Sequence, residues 1–375
     1  ATIFSCFVNL CNTILGSGLL GLPYAFSRAG WVTGTILLLV CGSLSSFALH
    51  CLANCALKEP HPSTFYSVAQ TAMPKLTTVI DTAVAVKCFG VATSYLIVIG
   101  DLMPEVMEQF GAPEAMQSRL LWVTVGFSIV IPLSFLKDLD SLKFTSLVSI
   151  FFVGFLTFLI MLYSTDTEGL DPCADVDDTC VGEKHNFLFD VETMKVFSIF
   201  VFGFTCHQNI FAVKNELQNP SIYRINTVIA TAIGTAGILY LVVGCFGYDT
   251  YGDNVESDIL LNYPANFLTS TARLFVSLLV AFSYPLQAHP ARKCVLTLAS
   301  TFLDAKRDVE APYAVLRIRY LAITVVFLVM TFLIAMVTSD LGVVLSIVGA
   351  TGSTIVSYIL PGFVYYLTFK DDATA

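Results

Sequence analysis

Apolar residues run along this chain in ten blocks of about twenty, the length an α-helix needs to cross about 30 Å of hydrocarbon at about 1.5 Å per residue. The blocks fall at 3–25, 31–56, 77–105, 119–137, 143–164, 193–214, 224–248, 267–290, 316–338 and 341–367. Segment 63–75 (STFYSVAQTAMPK) is too short and too mixed to cross, and reads as an interfacial helix. Inside the first block the pattern breaks. Asn9, Asn12, Thr13 and Gly16 recur at i, i+3, i+4 and i+7, so they line one polar stripe on an oily cylinder. Gly16-Ser17-Gly18 then interrupts the run before Leu19 to Phe26 resume it. In hydrocarbon every backbone N–H and C=O must be paired, so unwound backbone survives only against protein, water or a bound solute.

A second disturbed helix opens the sixth block, at Gly203-Phe204-Thr205-Cys206-His207-Gln208-Asn209. It holds the same ordinal place in blocks six to ten as the first break holds in blocks one to five. Five is odd, so a repeat of five spans must sit upside down relative to its first copy. Two inverted units, each opening on a broken helix, are the signature of a LeuT-type transporter. The expected fold is therefore an all-α polytopic membrane protein, a 5+5 inverted repeat with broken first and sixth helices. It forms one transporter domain over 1–375, with repeats at 1–165 and 193–370 and an outer loop at 166–192.

Composition agrees. Hydrophobic residues make up 56% of the chain and charged residues 13%, far from soluble norms. The net charge of −9, with no basic run and no zinc-type Cys/His spacing, argues against nucleic acid as a partner. No removable signal peptide is read at the start, and the missing initiator Met suggests that a polar N-terminal tail was trimmed. With the N-terminus cytoplasmic, the inner loops and helix ends hold Lys58, Lys75, Lys137, Lys143, Lys214, Arg224, Arg292, Lys293, Lys306, Arg307, Arg317, Arg319 and Lys370. Only Arg28, Arg119, Lys184, Lys195 and Arg273 fall outside, and that bias fixes the expected orientation. Most cysteines lie in spans as small apolar filler. Cys173 and Cys180 share the acidic loop DPCADVDDTC, either as a disulfide on an oxidising face or as two free thiols.

The chemistry is expected at the bilayer midplane, between the breaks. Gly16, Ser17 and Gly18 offer N–H groups with no side-chain bulk, which suits an α-carboxylate; the alternative is small residues packed against a neighbouring helix. Thr205, or carbonyls freed near Gly203 and Phe204, would hold a substrate ammonium, and Tyr95 lines the cavity. Lys87 lies in mid-span, about 15 Å deep, as either a resident or titrating cation or a bundle-facing structural contact. Asp81 and Asp101 on the same span read as solvated or structural. His207 would carry a proton or tie two helices together. Ser283 precedes Pro285, which leaves a carbonyl unpaired; either hydroxyl plus carbonyl oxygens suit sodium, or the hydroxyl back-bonds to its own helix.

The segments NLCNTILGSGLLGLPYAF, IVIPLSFLKDLDSLKFTS, FGFTCHQNIFAVKNEL and LSIVGATGSTIVSYILPGFVYYL together resemble the amino acid/auxin permease family. That family includes the sodium-coupled neutral amino acid transporters of animals and the vacuolar amino acid transporters of fungi. The stretch KCFGVATSYLIVIGDLMP is most similar to the fungal vacuolar subgroup. The resemblance covers essentially the whole chain and implies a LeuT-type fold and secondary active transport. It implies that Asn12 is the first-span asparagine used for cation binding and that Ser283 stands for an eighth-span Thr. It also places Cys173 and Cys180 in the loop where the sodium-coupled branch carries a disulfide. Family members commonly have eleven spans, so a final helix is expected to have been removed. Lys87 stands where the animal proteins tend to have a neutral polar residue, which tips the expectation from sodium towards protons.

The expected activity is alternating-access transport of small, neutral amino acids, coupled to H+ or Na+, with acidic ones admitted if Lys87 reaches the cavity. No enzyme is expected, because no His-Glu-x-x-His, Gly-x-Gly-Asp or workable Ser/His pair occurs. No cofactor and no metal beyond Na+ is called for. A monomer in the lipid bilayer is expected, in the plasma membrane or a vacuolar or lysosomal one. The alternative is an amino acid sensor that uses the same site to signal.

Overall fold

Hydrophobic burial cannot hold a helix bundle together in lipid, so small residues and polar contacts must set how closely the helices approach. In this computed structural model the chain is described over residues 1–72, 74, 77–135, 143–165, 171–173, 180–302 and 313–370. Lys75, Lys137, Lys306 and Arg307 of the orientation argument, and most of the loop 166–179, lie outside those residues.

The first span is two helices. The Thr2 hydroxyl caps α1 (Ile3–Ile14) by accepting from Ser5 N–H at 3.2 Å. The helix stops at Leu15, Gly16 runs on in extended backbone, and Ser17–Leu19 form a 3-10 turn. Then α2 (Leu22–Ala29) departs at 55° to α1. It ends four residues later than the expected 25.

Next come α3 (Trp31–Lys58), the short α4 (Phe65–Ala72), α5 (Thr77–Gln109), α6 (Arg119–Ser134) and α7 (Lys143–Tyr163). The sixth span also breaks. It holds α8 (Val191–Gly203), non-helical Phe204–Cys206, a 3-10 turn at His207–Asn209 and α9 (Ile210–Glu216). Then follow α10 (Ile222–Tyr251), the one-turn α11 (Ile259–Asn262), α12 (Phe267–Phe302), α13 (Tyr313–Val337), α14 (Leu341–Val348) and α15 (Leu360–Phe369). Among the described residues seven helices are long and apolar enough to cross a membrane, and the bent α1–α2 pair makes an eighth. Apolar segments at Arg119–Ser134 and Val148–Tyr163 are shorter. These elements coincide with the ten apolar blocks.

Three elements depart from the hydropathy pattern. α12 runs through Pro285 and Pro290 and ends at Phe302, well beyond 290, because neighbouring helices can satisfy the carbonyls that proline frees. Between α14 and α15 the tenth span is π-helical, at Gly349–Ser353 and Ile355–Ile359. There it squeezes between α8 and α5. A Cβ on Gly349 would fall 1.9 Å from the Ser198 carbonyl oxygen, and one on Gly352 would fall 2.8 Å from that of Ala83. Of the two aspartates read as solvated or structural, Asp81 is buried and Asp101 half-buried: Asp101 pairs with Arg119, which also donates to Ala335 O and Thr338 O at 2.9 and 2.8 Å.

α5 is the axis of the bundle. The apolar window of this span is 83% buried, against 28% in α13, and it packs most extensively on α12. The face that carries the Cys173–Cys180 disulfide, called the outer face below, is sealed by backbone bonds. Trp31 N–H donates to His185 O and Leu188 N–H to Ala29 O, both at 3.0 Å.

Candidate functional site

Both breaks open onto one buried cavity beside α5 and α12. From the first span it is lined by Thr13, Ile14, Gly16, Ser17 and Gly18, and from the sixth by Phe202 and Thr205. α5 contributes Lys87, Val91 and Tyr95, and α12 contributes Gln287. Ser17 and Gly18 open their 3-10 turn, so no carbonyl within it can take their N–H groups. The Ser17 hydroxyl meets that of Ser94 at 2.9 Å and pins the turn to α5. Gly18 faces the other break directly: a Cβ there would lie 3.0 Å from Phe202 Cδ1 and 3.5 Å from Gly203 Cα.

One side chain ties the two breaks together. The Tyr240 hydroxyl on α10, fully buried, lies 2.6 Å from Ile14 O and 2.8 Å from Gly203 O and donates to these carbonyls. They end α1 and α8, so a single O–H serves the orphaned termini of both half-helices. The cavity itself measures only about 20 Å³, the scale of one water-sized sphere and far short of an amino acid. The spans must part to admit one.

A second cavity, also about 20 Å³, adjoins the first through Thr13, Tyr95 and Gln287. Asn12 and Ser283 line it, with Gln208 and Asn209 from the sixth span. The two residues expected to coordinate a cation are thus brought together, 271 positions apart in sequence (283 − 12). Asn209 Nδ2 donates to Thr13 Oγ1 and links the inner halves of both broken spans. Lys87 reaches the first cavity, where its ammonium donates to Gln287 Oε1 at 3.5 Å. Among the described residues no Asp or Glu lines either cavity.

Three expected site residues sit elsewhere. Phe204 points away from the cavity and packs edge-on against Tyr240 at 5.3 Å, while its carbonyl accepts from Ser45 Oγ. Phe202, two residues earlier, turns its ring into the cavity instead. Gly203 contributes its carbonyl to Tyr240 rather than to a lining surface. His207 is fully buried behind the site, its ring centroid 6.3 Å from that of Tyr358, and lines neither cavity. Gln287 was legible in principle, one helical turn beyond Ser283. Tyr240 gave no sign beyond being a hydroxyl in an apolar run.

The chain matches, over residues 1–375, the family described as transmembrane amino acid transporter protein, and it belongs to that family. It is 37% identical to vacuolar amino acid transporter 5 of Schizosaccharomyces pombe, over 98% of this chain and 84% of that protein. It is 33% identical to vacuolar amino acid transporter 6 of Saccharomyces cerevisiae, over 100% and 92%. Sodium-coupled neutral amino acid transporter 7 of Danio rerio is 27% identical, over 94% and 76%. The solved structure of MhsT in complex with L-phenylalanine aligns with a TM-score of 0.57 at 12% identity, covering 98% of this chain and 88% of that one. That likeness is of fold, and the fold is the LeuT type.

Proposed function

We propose that this protein is a secondary active transporter that carries small amino acids across a vacuolar membrane by alternating access. The observation that carries this reading is the meeting of two interrupted helices at one buried cavity, with Ser17 and Gly18 N–H groups on one side and Thr205 on the other. Those amides suit the α-carboxylate of a zwitterion. The transport activity named for the relatives supports the reading, and the vacuolar names of the fungal ones support the compartment.

Neutral amino acids suit the chemistry of the lining, and acidic ones join them because Lys87 lines the cavity. Cationic ones are disfavoured, since a second cation would sit beside that ammonium with no lining carboxylate to offset it. Two features bear on the coupling ion. Asn12 and Ser283 around one cavity supply oxygens for Na+, and Lys87 supplies an exchangeable proton. The amine at the substrate cavity favours protons.

Uptake of radiolabelled amino acids by reconstituted protein tests all of this. Alanine and glutamate should accumulate and arginine should not, with sodium replaced by choline making no difference and a pH step driving uptake. Accumulation of none of a full panel would defeat the transport reading, and loss in choline would defeat proton coupling.

A further inference from the structure

Between α10 and α12 the chain folds back onto the first span just beyond its break. Val255, Ile259, Leu260 and Tyr263 of this loop are buried. Ile259 N–H donates to Leu20 O at 3.3 Å, only two residues beyond Gly18. The Ser257 carbonyl oxygen packs 3.6 Å from the Cβ position of Gly21, and Ser257 Cβ lies 3.1 Å from that of Gly342 on the tenth span. On its solvent side the same loop, through Val255, Glu256 and Asn262, lines an outer vestibule of about 510 Å³. The loop therefore stands between that vestibule and the 20 Å³ cavity.

What holds it there is a network of charges. Arg273 of α12, fully buried, donates through Nε and Nη2 to Leu260 O at 3.2 and 3.0 Å, and through Nη2 to Tyr263 O at 2.8 Å. Its Nη1 makes no hydrogen bond and faces Glu105 of α5 at 3.7 Å. Asp258 sits inside the same loop at 1% exposure. Its Oδ1 accepts from Leu260 N–H at 3.0 Å, but its Oδ2 has neither a hydrogen-bond partner nor solvent. A carboxylate in that position costs far more than a neutral carboxyl.

We infer that Asp258 is a proton-operated latch that keeps loop 255–263 docked across the outer path. With the carboxyl neutral the loop stays docked on Leu20, and ionisation drives Asp258 towards water and frees the loop. Asp101 from α5 and Arg273 from α12 act on this carboxyl directly, and Glu105 from α5 with Tyr163 and Tyr251 surrounds that arginine, which also donates to Tyr263 O. Burial first, with the negative charge of Asp101 adding to it, pushes Asp258 up to about 7, against the pull of Leu260 N–H and Arg273. An undocked carboxyl returns to the ordinary range near 4. Docking is therefore fully favoured below about pH 4 and weakens as pH rises through about 7. Between pH 6 and pH 8 the docked-to-open ratio should fall about tenfold.

A gate has meaning only for a protein that opens alternately to two sides, the reading proposed above. Its movement is nonetheless measurable without substrate, so the latch can fail while transport stands. Hydrogen–deuterium exchange of the full chain in lipid nanodiscs, followed in the peptide spanning 255–266, reads it directly. After correction for intrinsic exchange rates, protection of the loop amides should drop about tenfold from pH 6 to pH 8 in the unaltered protein. Asp258→Asn, neutral at every pH, should show equal protection at pH 6 and pH 8, above that of the unaltered loop at either. Equal protection of the unaltered loop at both pH values overturns the latch, even if the variant does not fold. So does an equal drop in Asp258→Asn.

Discussion

Deleting one oxygen atom should loosen both broken spans at once. In Tyr240→Phe the ring keeps its packing on Phe204, at 5.3 Å, while Ile14 O and Gly203 O lose their shared donor. Because one hydrogen serves two carbonyls, the loss is of one buried hydrogen bond rather than two, about 1–3 kcal/mol. If that bond is made only while the two half-helices meet, its loss shifts the ratio of closed to open protein by about 5- to 150-fold. The melting temperature should fall, and uptake into liposomes should slow at least about fivefold. A thiol-reactive fluorophore reports melting well here, since seven of the nine free cysteines are buried and react only on unfolding. Unaltered melting and unaltered uptake together would refute the claim that this hydroxyl couples the breaks.

Lys87→Gln should abolish uptake driven by a pH step yet leave exchange of amino acid across the membrane measurable, and an unchanged response to pH would exclude this amine from coupling. Arg119→Gln strips Asp101, whose side chain is 8% exposed, of its charged partner. Since Arg119 itself is 28% exposed and partly screened, a cost of about 1–3 kcal/mol is expected in thermal melting. Adding Asp101→Asn should restore part of it. Reducing Cys173–Cys180, which are seven positions apart, should cost about 2 kcal/mol through the freed loop entropy, read from the fluorescence of Trp31 and Trp122, without stopping transport.

The parts of this molecule visible from its sequence are those ruled by local chemistry. Apolar runs mark spans because lipid demands a continuous helix, and Gly16-Ser17-Gly18 marks a break because it weakens the helix where polar residues converge. Asn12 and Ser283 were linked only through the family resemblance, and the structure places both on the wall of one cavity. What stayed hidden depends on register across a break. Phe202 and Phe204 are equivalent in a pattern of hydrophobicity, and only the geometry of the unwound backbone turns one into the cavity and the other towards Tyr240. The π-helical stretch follows from how closely α5 and α8 approach Gly349 and Gly352, a tertiary fact. Arg273 and Asp258 look like solvated charges near a span end, yet both are buried and govern a loop.

Accumulation of radiolabelled amino acid by Gly18→Leu protein asks whether the two breaks are the binding site. A Cβ at this position already lies 3.0 Å from Phe202, and three further carbons overfill a cavity of about 20 Å³ next to the amides of the 3-10 turn. Uptake should vanish while the protein still inserts and melts cooperatively, and Gly18→Ala should retain a reduced rate. Undiminished uptake by Gly18→Leu would place the substrate elsewhere in the bundle.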